Sequence, residues 1–338
     1  MEEPKIIKNP EVFEEYFIPT RILHREDQLM GIRNDLKPLL SGKKPRNIVL
    51  YGYPGTGKTC IAKYVVDELR KEFPALYAYV NCWKEESGFK ILYNISKNFS
   101  SSFIQRKGIS KDELLDIIER KIQGIQGIVI LDEFDKLSDE RILYDLLSLS
   151  GITLILISNK PNALQWFDPR IRSRLSSADI IDFPLYKTEE ILDILKDRRE
   201  WGLIPGTVTV SQLERIAGAS EGDARKGIEI LRIASIEAEN RDLDKITDDV
   251  IEKSIPKVPD TQKHKLDALN PYQKLILKVL NSKPMDSGNL FSELQSLSEK
   301  QGLERIVDRT FRKYMERLVN LGLVRASGKG RWRKYSKS

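Results

Sequence analysis

Through the first half of the chain, short apolar runs alternate with stretches whose apolar residues recur every three or four positions. Residues 47–51 (NIVLY), 77–81, 127–131 (GIVIL), 153–158 (TLILIS) and 179–183 are of the first kind, short enough to be buried strands. Residues 26–40, 59–71, 89–100 and 111–122 carry helical spacing. Strands alternating with helices predict an α/β fold, a parallel sheet with helices on both faces. After Pro184 the apolar runs stop, and 188–199, 211–219, 223–239 and 247–254 all read as helices. The stretch IPKVPDTQKHK, with two prolines and mixed charge, reads as a linker. Residues 270–338 are expected to hold three helical segments and a short hairpin. The expected division is a sheet domain at 1–184, an all-α domain at 185–255, a linker at 256–268 and a last domain at 269–338.

Composition narrows the function classes. Of 338 residues, 40% are hydrophobic and 31% charged, which predicts a soluble globular chain. No apolar run approaches ~20 residues, so no membrane span is expected. The start, MEEPKIIKNP, lacks a basic segment followed by an apolar one, so no secretory signal is expected. Two cysteines, Cys60 and Cys82, and two histidines, His24 and His264, are too few for a disulfide framework or a metal cluster, and suit a reducing cytoplasm. The abundance of Lys, Glu and Ile suits a thermophile. Residues 261–338 carry 17 Lys+Arg against 7 Asp+Glu, a net +10, whereas the rest of the chain is at −4. That asymmetry predicts a polyanion partner, nucleic acid above all, or else a solvated basic surface.

The candidate chemistry begins where the first predicted strand ends. Residues 52–59, GYPGTGKT, match G-x-x-x-x-G-K-S/T between a strand and a helix, a phosphate-binding loop. Gly55 and Gly57 let the backbone wrap close to phosphate, and the N–H groups at the helix start face the anion. Nucleotide contacts are expected from Pro54, Gly55, Thr56, Gly57, Lys58, Thr59 and Cys60. Lys58 is expected to reach the β- and γ-phosphates and the Thr59 hydroxyl to ligate Mg²⁺. The third strand runs into Asp132 and Glu133, at the sheet end where ligands of α/β proteins bind. Asp132 is expected to hold Mg²⁺, directly or through water, and Glu133 to polarise the attacking water. Asn159, after the fourth strand, is a candidate for positioning that water. Arg225, in EGDARKGIEIL, is a candidate for sensing the γ-phosphate from the helical domain.

A strand, phosphate loop and helix followed by D-E, then S-N, then a helical lid bearing G-D-A-R, resembles the AAA+ ATPases. The stretches VFEEYFIPTRILHRE, NCW, LDEFDKL, ISNKPNALQWFDPRIRSRL and EGDARKGIEIL narrow the resemblance to the archaeal replication-initiator family. Its members are relatives of the largest origin-recognition-complex subunit and of the cell-division-control helicase loader. The resemblance spans essentially the whole chain and implies an AAA+ sheet domain, an all-α lid and a winged-helix domain. It assigns Tyr186 and Arg198 to the nucleotide pocket. It further implies that an arginine within 168–175 acts in trans on a neighbour's ATP; Arg170, Arg172 and Arg174 are available, and the S-R-L context favours Arg174. A family insertion that touches DNA matches 100–110, where Gln105, Arg106, Lys107 and Gly108 form a basic tip; a plain solvated loop is the competing expectation.

The C-terminal quarter has its own pattern. Within 304–321, Val307, Phe311, Tyr314, Leu318 and Leu321 are expected on one apolar face, with Arg305, Arg309, Arg312, Lys313 and Arg317 opposite. Such a helix suits the DNA major groove, with Arg309 or Arg312 as base contacts. The hairpin that follows would put Lys329, Arg331 and Arg333 at or beside a wing tip, on phosphates or in the minor groove. A winged helix used for protein contacts is the alternative. The function implied is that of an ATP-switched protein with slow, regulatory hydrolysis. It would be cytoplasmic and nucleoid-associated, bind double-stranded replication-origin DNA and help recruit or load the replicative helicase, with paralogous initiator subunits as further partners and ATP/ADP and Mg²⁺ as cofactors. A clamp-loader-type or motor ATPase acting in a ring, and an ATP-binding transcriptional regulator, are the alternatives.

Overall fold

The computed structural model describes residues 5–85, 87–100, 103–160, 163–258, 269–280, 284–300, 303, 305–320, 323–327 and 334–337. Two compact units divide the chain, residues 1–258 and 259–338.

In the first unit five strands, β1 (Ile48–Gly52), β2 (Leu76–Asn81), β3 (Gly127–Asp132), β4 (Ile152–Ser158) and β5 (Asp179–Phe183), form a parallel sheet in the order β2-β3-β4-β1-β5. Every residue of β3 and β4 is buried, as expected for strands covered on both faces. Side-chain alternation along β3 explains the cover. Ile128 and Ile130 face a core with Ile32 and Leu36 of α1 (Glu26–Leu36) and Ile61 and Val65 of α2 (Lys58–Glu72). Val129 and Leu131 face the opposite core, with Leu92 and Ile95 of α3 (Gly88–Phe99) and Leu114 and Ile118 of α4 (Lys111–Lys121). A capping box between Ser110 and Glu113 starts α4.

Three local expectations change. The first helix stops at Leu36 rather than at residue 40, and Lys37–Ser41 continues as a 3-10 turn; Pro38 removes a backbone donor there. Two short helices add to the expected set, α5 (Arg141–Ser148) and α6 (Pro169–Arg174). The start of α6 is nonetheless written in the chain, since Asp168 caps the Arg170 amide and Pro169 occupies the first turn.

Four helices follow, α7 (Thr188–Gly202), α8 (Val210–Ala219), α9 (Ala224–Asn240) and α10 (Asp248–Ser254), around a core that includes Ile191, Leu213, Ile230 and Val250. Ile6 and Phe13 are buried in this same core, and Glu239 Oε1 accepts the Ile7 amide at 2.9 Å. The N-terminal segment, grouped with the sheet by position along the chain, therefore packs with the helices.

The second unit contains α11 (Pro271–Leu280), α12 (Ser287–Lys300) and α13 (Asp308–Asn320), with an antiparallel sheet of β6 (Met285–Asp286), β7 (Val324–Ser327) and β8 (Lys334–Lys337) in the order β6-β8-β7. The expected hairpin is the β7–β8 pair, and β6 adds a third strand. Phe311, Met315 and Leu318 are the buried face of α13. Val307 does not belong to it. It precedes the helix and is 67% exposed, and Met315 occupies the apolar stripe instead. Tyr314 is half-buried and stacks on Tyr272 with ring centroids 5.9 Å apart. Leu321 lies outside the described residues.

Candidate nucleotide site

The sheet order places β1 between β4 and β5, so the loop after β1 lies beside the C-terminal ends of both neighbours. Gly55 and Gly57 adopt φ values of 72° and 91°. Both also have no room for a side chain: a Cβ on Gly55 would meet Asp223 Oδ1 at 1.7 Å, and one on Gly57 would meet the Tyr186 hydroxyl at 2.9 Å. The Thr56 hydroxyl closes the loop on Tyr53 O at 2.8 Å. Lys58, the first residue of α2, is buried, and its Nζ donates to Gly52 O at 2.8 Å and Tyr53 O at 2.7 Å. Burial pulls its pKa down to about 8, partly offset by the charge of Asp132. An ammonium held by neutral carbonyls at the start of a helix is matched to a polyanion.

Next to the loop, Thr59 Oγ1 donates to Asp132 Oδ2 at 2.8 Å, which joins the α2 start to the β3 end. Among the described residues no group of three or more His, Cys, Asp or Glu side chains is placed to hold a metal. The donor set is thus one hydroxyl and one carboxylate, both hard oxygens. That fits Mg²⁺, which takes few protein ligands and completes its shell with phosphate and water. Glu133 follows in the left-handed region, at φ 54°. Its carboxyl is pushed above the usual carboxylate range by burial first and then by the charges of Asp132 and Asp135. A half-buried carboxylate with raised proton affinity is suited to taking a proton from water. Beside it, Ser158 donates to Asp135 Oδ1 at 2.8 Å and Lys160 pairs with Asp135 Oδ2 at 3.1 Å, so the turn carrying Asn159 is tied to the turn after Glu133.

The helical block closes the site from the other side. Ala224 N, at the start of α9, donates to Gly55 O at 3.1 Å, and Asp223 caps the same helix through the Lys226 amide. Arg225 pairs with Glu15 at 3.2 Å, and its charge is among those felt by Lys58. Tyr186 and Arg198 are both buried. The guanidinium of Arg198 lies 4.6 Å from the centre of the Phe17 ring, and its Nε and Nη1 have no hydrogen-bond partner. Orphaned buried donors beside an aromatic ring are what a nucleotide base or sugar would satisfy. Cys60 is enclosed nearby, its thiol pKa raised by burial.

Three contributors carry no signal in the sequence patterns above. Arg25, 3% exposed, donates to Thr56 O at 3.3 Å and Pro184 O at 2.6 Å and covers the Tyr186 ring at 3.6 Å, tying the phosphate loop to the start of the helical block. Phe17 and Tyr79 are the others. Arg25 and Phe17 lie in the stretch YFIPTRILHRE, but nothing local in it says where they reach.

The remaining candidates lie elsewhere. Arg170, Arg172 and Arg174 are exposed on α6. Arg174 Nη2 donates to the Tyr144 hydroxyl at 3.2 Å, and its guanidinium covers that ring at 4.5 Å. Arg106 and Lys107 are exposed in the loop before α4, where Arg106 lies 5.8 Å from the Tyr93 ring centre and Gly108 turns the chain at φ 83°. In the second unit Arg309, Arg312 and Lys313 are exposed on α13, with Arg312 paired to Asp308 at 2.7 Å. Arg305 precedes that helix, paired with Glu299. Lys329, Arg331 and Arg333 lie outside the described residues.

Comparison with known proteins agrees with this geometry. Residues 42–167 match the model of the AAA domain, and residues 192–255 match that of the Cdc6 AAA+ ATPase-type lid domain. The chain is 33% identical over 336 residues to the ORC1-type DNA replication protein 9 of Halobacterium salinarum, covering 98% of this chain and 94% of that one. Among solved structures, the ADP form of the Aeropyrum pernix ORC2 protein superposes with a TM-score of 0.80 at 23% identity, over 98% of this chain and 94% of that one. The Aeropyrum pernix ORC1 protein, solved in complex with DNA, superposes with a TM-score of 0.70 at 26% identity, over 99% and 94%. With a phosphate loop, an acidic β3 end and a lid docked on the loop, and with that identity over nearly its whole length, the chain belongs to the family of ORC1-type DNA replication proteins and is an AAA+ ATPase.

Proposed function

We propose that the chain is an ATP-switched origin-binding protein whose second unit is a winged helix that docks on double-stranded DNA. The observation that carries the DNA reading is α13: Phe311, Met315 and Leu318 are buried beneath it while Arg309, Arg312 and Lys313 are exposed. A cationic helix face on a packed scaffold, in a segment of net charge +10, is matched to the phosphate-flanked major groove. The relative solved in complex with DNA has the same fold over its length. In this reading Arg106 and Lys107, and the β7–β8 wing with Lys329, Arg331 and Arg333, add backbone contacts. Recruitment of the replicative helicase and pairing with paralogous subunits are the activities such a complex would serve.

Each site residue has a proposed task. Backbone N–H groups from Gly55 to Cys60 and the Lys58 ammonium bind the phosphates, with Pro54 shaping the loop ahead of them. Tyr186 and Arg198 enclose the rest of the nucleotide. Thr59 and Asp132 would hold Mg²⁺, which supplies charge neutralisation for the phosphates. Glu133 takes a proton from the attacking water, Asn159 orients that water, and Arg225 reads the γ-phosphate. Arg225 must first leave Glu15, which links nucleotide state to the N-terminal segment. Arg174, presented on the Tyr144 ring, acts on the site of a neighbouring copy. Hydrolysis is slow and serves to reset the DNA-bound state.

The test is footprinting with salt-titrated binding on genomic origin DNA, comparing the native chain with Lys58→Ala and with Arg309→Ala/Lys313→Ala. Discrete protection by the native chain is expected. The double replacement should abolish it, because the Arg309 base contact is lost, and reduce the salt slope by about 1, for the phosphate that Lys313 no longer neutralises. Uniform protection of any DNA would refute sequence reading by α13 and favour a ring ATPase that holds DNA only by charge.

A further inference from the structure

We propose that Tyr79 is a positioning residue for the metal-binding carboxylate, holding Asp132 through a hydrogen bond from its phenol. β2 and β3 run parallel with Tyr79 opposite Ile130 and Asn81 opposite Asp132. Side-chain alternation therefore puts Tyr79 and Asp132 on the same face, and the tyrosine is long enough to reach two residues along the neighbouring strand. Its hydroxyl donates to Asp132 Oδ2 at 2.9 Å, the same oxygen that accepts from Thr59 at 2.8 Å. Asp132 Oδ1 accepts the Glu133 amide at 3.0 Å. From above, Lys63 Nζ lies 3.7 Å from the centre of the Tyr79 ring. Thr59 and Lys63 are four residues apart on α2 and share a face, so one helix clamps both the carboxylate and the tyrosine that holds it.

The division of labour follows from the chemistry. Tyr79 acts as a donor to the ligand and not as a ligand itself: its hydroxyl is directed at Asp132 Oδ2 and its ring is held under Lys63. If Thr59 turns its oxygen to a metal, Tyr79 and the Glu133 amide remain to hold the carboxylate in one rotamer. Outer partners of this kind typically change metal affinity by about 10–100-fold when removed. The inference rests on the reading that Asp132 serves Mg²⁺.

Tyr79→Phe deletes one oxygen and leaves the ring under Lys63. Binding of a fluorescent ADP analogue to the full chain is measured in EDTA and then across a Mg²⁺ titration, with Mn²⁺ binding followed directly by electron paramagnetic resonance. Affinity in EDTA is expected to be unchanged, which also verifies folding. The Mg²⁺ midpoint and the Mn²⁺ dissociation constant are each expected to rise about tenfold. In an Asp132→Ala background the same replacement should add nothing. An unchanged midpoint in Tyr79→Phe, with Asp132→Ala shifted, overturns the role of Tyr79 alone. An equal shift in both backgrounds overturns action through Asp132. No metal effect from Asp132→Ala overturns this inference together with the assignment of Asp132.

Discussion

Lys58 enters the nucleotide complex short of protons. Its pKa is pulled from 10.5 to about 8, chiefly by burial. A polyphosphate laid against the ammonium supplies the opposite charge that Gly52 O and Tyr53 O provide only as dipoles, and it returns the pKa toward its ordinary value. Binding is then coupled to proton uptake. With a ligand-free pKa near 8, uptake should be about 0.1 proton at pH 7, about 0.5 at pH 8 and about 0.9 at pH 9. Above pH 8 the nucleotide dissociation constant should rise toward about tenfold per pH unit. The depression of about 2.5 units corresponds to roughly 3 kcal/mol of unfavourable charge burial, which nucleotide relieves. The same shift has a stability consequence of opposite sign. Between pH 8 and 10.5 the unfolded chain binds more protons at this lysine than the ligand-free fold, so the lysine's contribution to stability increases as pH rises through that window. Calorimetric titration of ADP at pH 7, 8 and 9, in two buffers of different ionisation enthalpy, measures the uptake. Lys58→Arg, whose guanidinium stays charged, should abolish the pH 8–9 uptake if binding persists. Zero uptake by the native chain at pH 8 and 9, with binding intact, refutes the reasoning.

Gly55→Ala should be destabilising for two reasons: the backbone sits at φ 72°, a cost of about 1–2 kcal/mol, and the new methyl must expel Asp223. A lower melting temperature and lost ADP binding are expected; Asp223→Ala in the same chain should recover part of the stability and little of the binding. A fall in melting temperature that Asp223→Ala leaves wholly unrelieved would show that the α9 start does not press on the loop. Glu133→Gln should slow hydrolysis by about 10²–10⁴-fold while ATP affinity holds within a few fold; a single-turnover assay reads this, and an unchanged rate removes Glu133 from proton transfer.

The features legible in the chain are those governed by neighbours a few residues apart. The central strands stand out most because a strand buried on both faces must be apolar at nearly every position, as β3 and β4 are. The phosphate loop stands out because its chemistry is backbone geometry, and glycine at 55 and 57 is what that geometry requires. Short elements were less visible. α6 has six residues, too few for a period to show, and α13 begins at Asp308, so Val307 is left in solvent although its spacing suits the buried face.

By itself, then, the sequence determined the five strands of the first sheet and the longer helices, the phosphate loop with its acidic β3 end, and the basic bias of the last quarter. Tertiary structure alone decided what those parts touch. Tyr79 meets Asp132 across 53 residues because β2 lies beside β3, and Arg25 meets Pro184 across 159 because the N-terminal segment returns to the lid. Asp223 rests on Gly55 only because α9 docks against the loop. The physical reason is range. Backbone conformation and burial pattern are set by steric and solvation terms that act within a few residues, whereas the partner of a hydrogen bond or a stacked ring is chosen by strand order and helix packing, which no short stretch of chain contains.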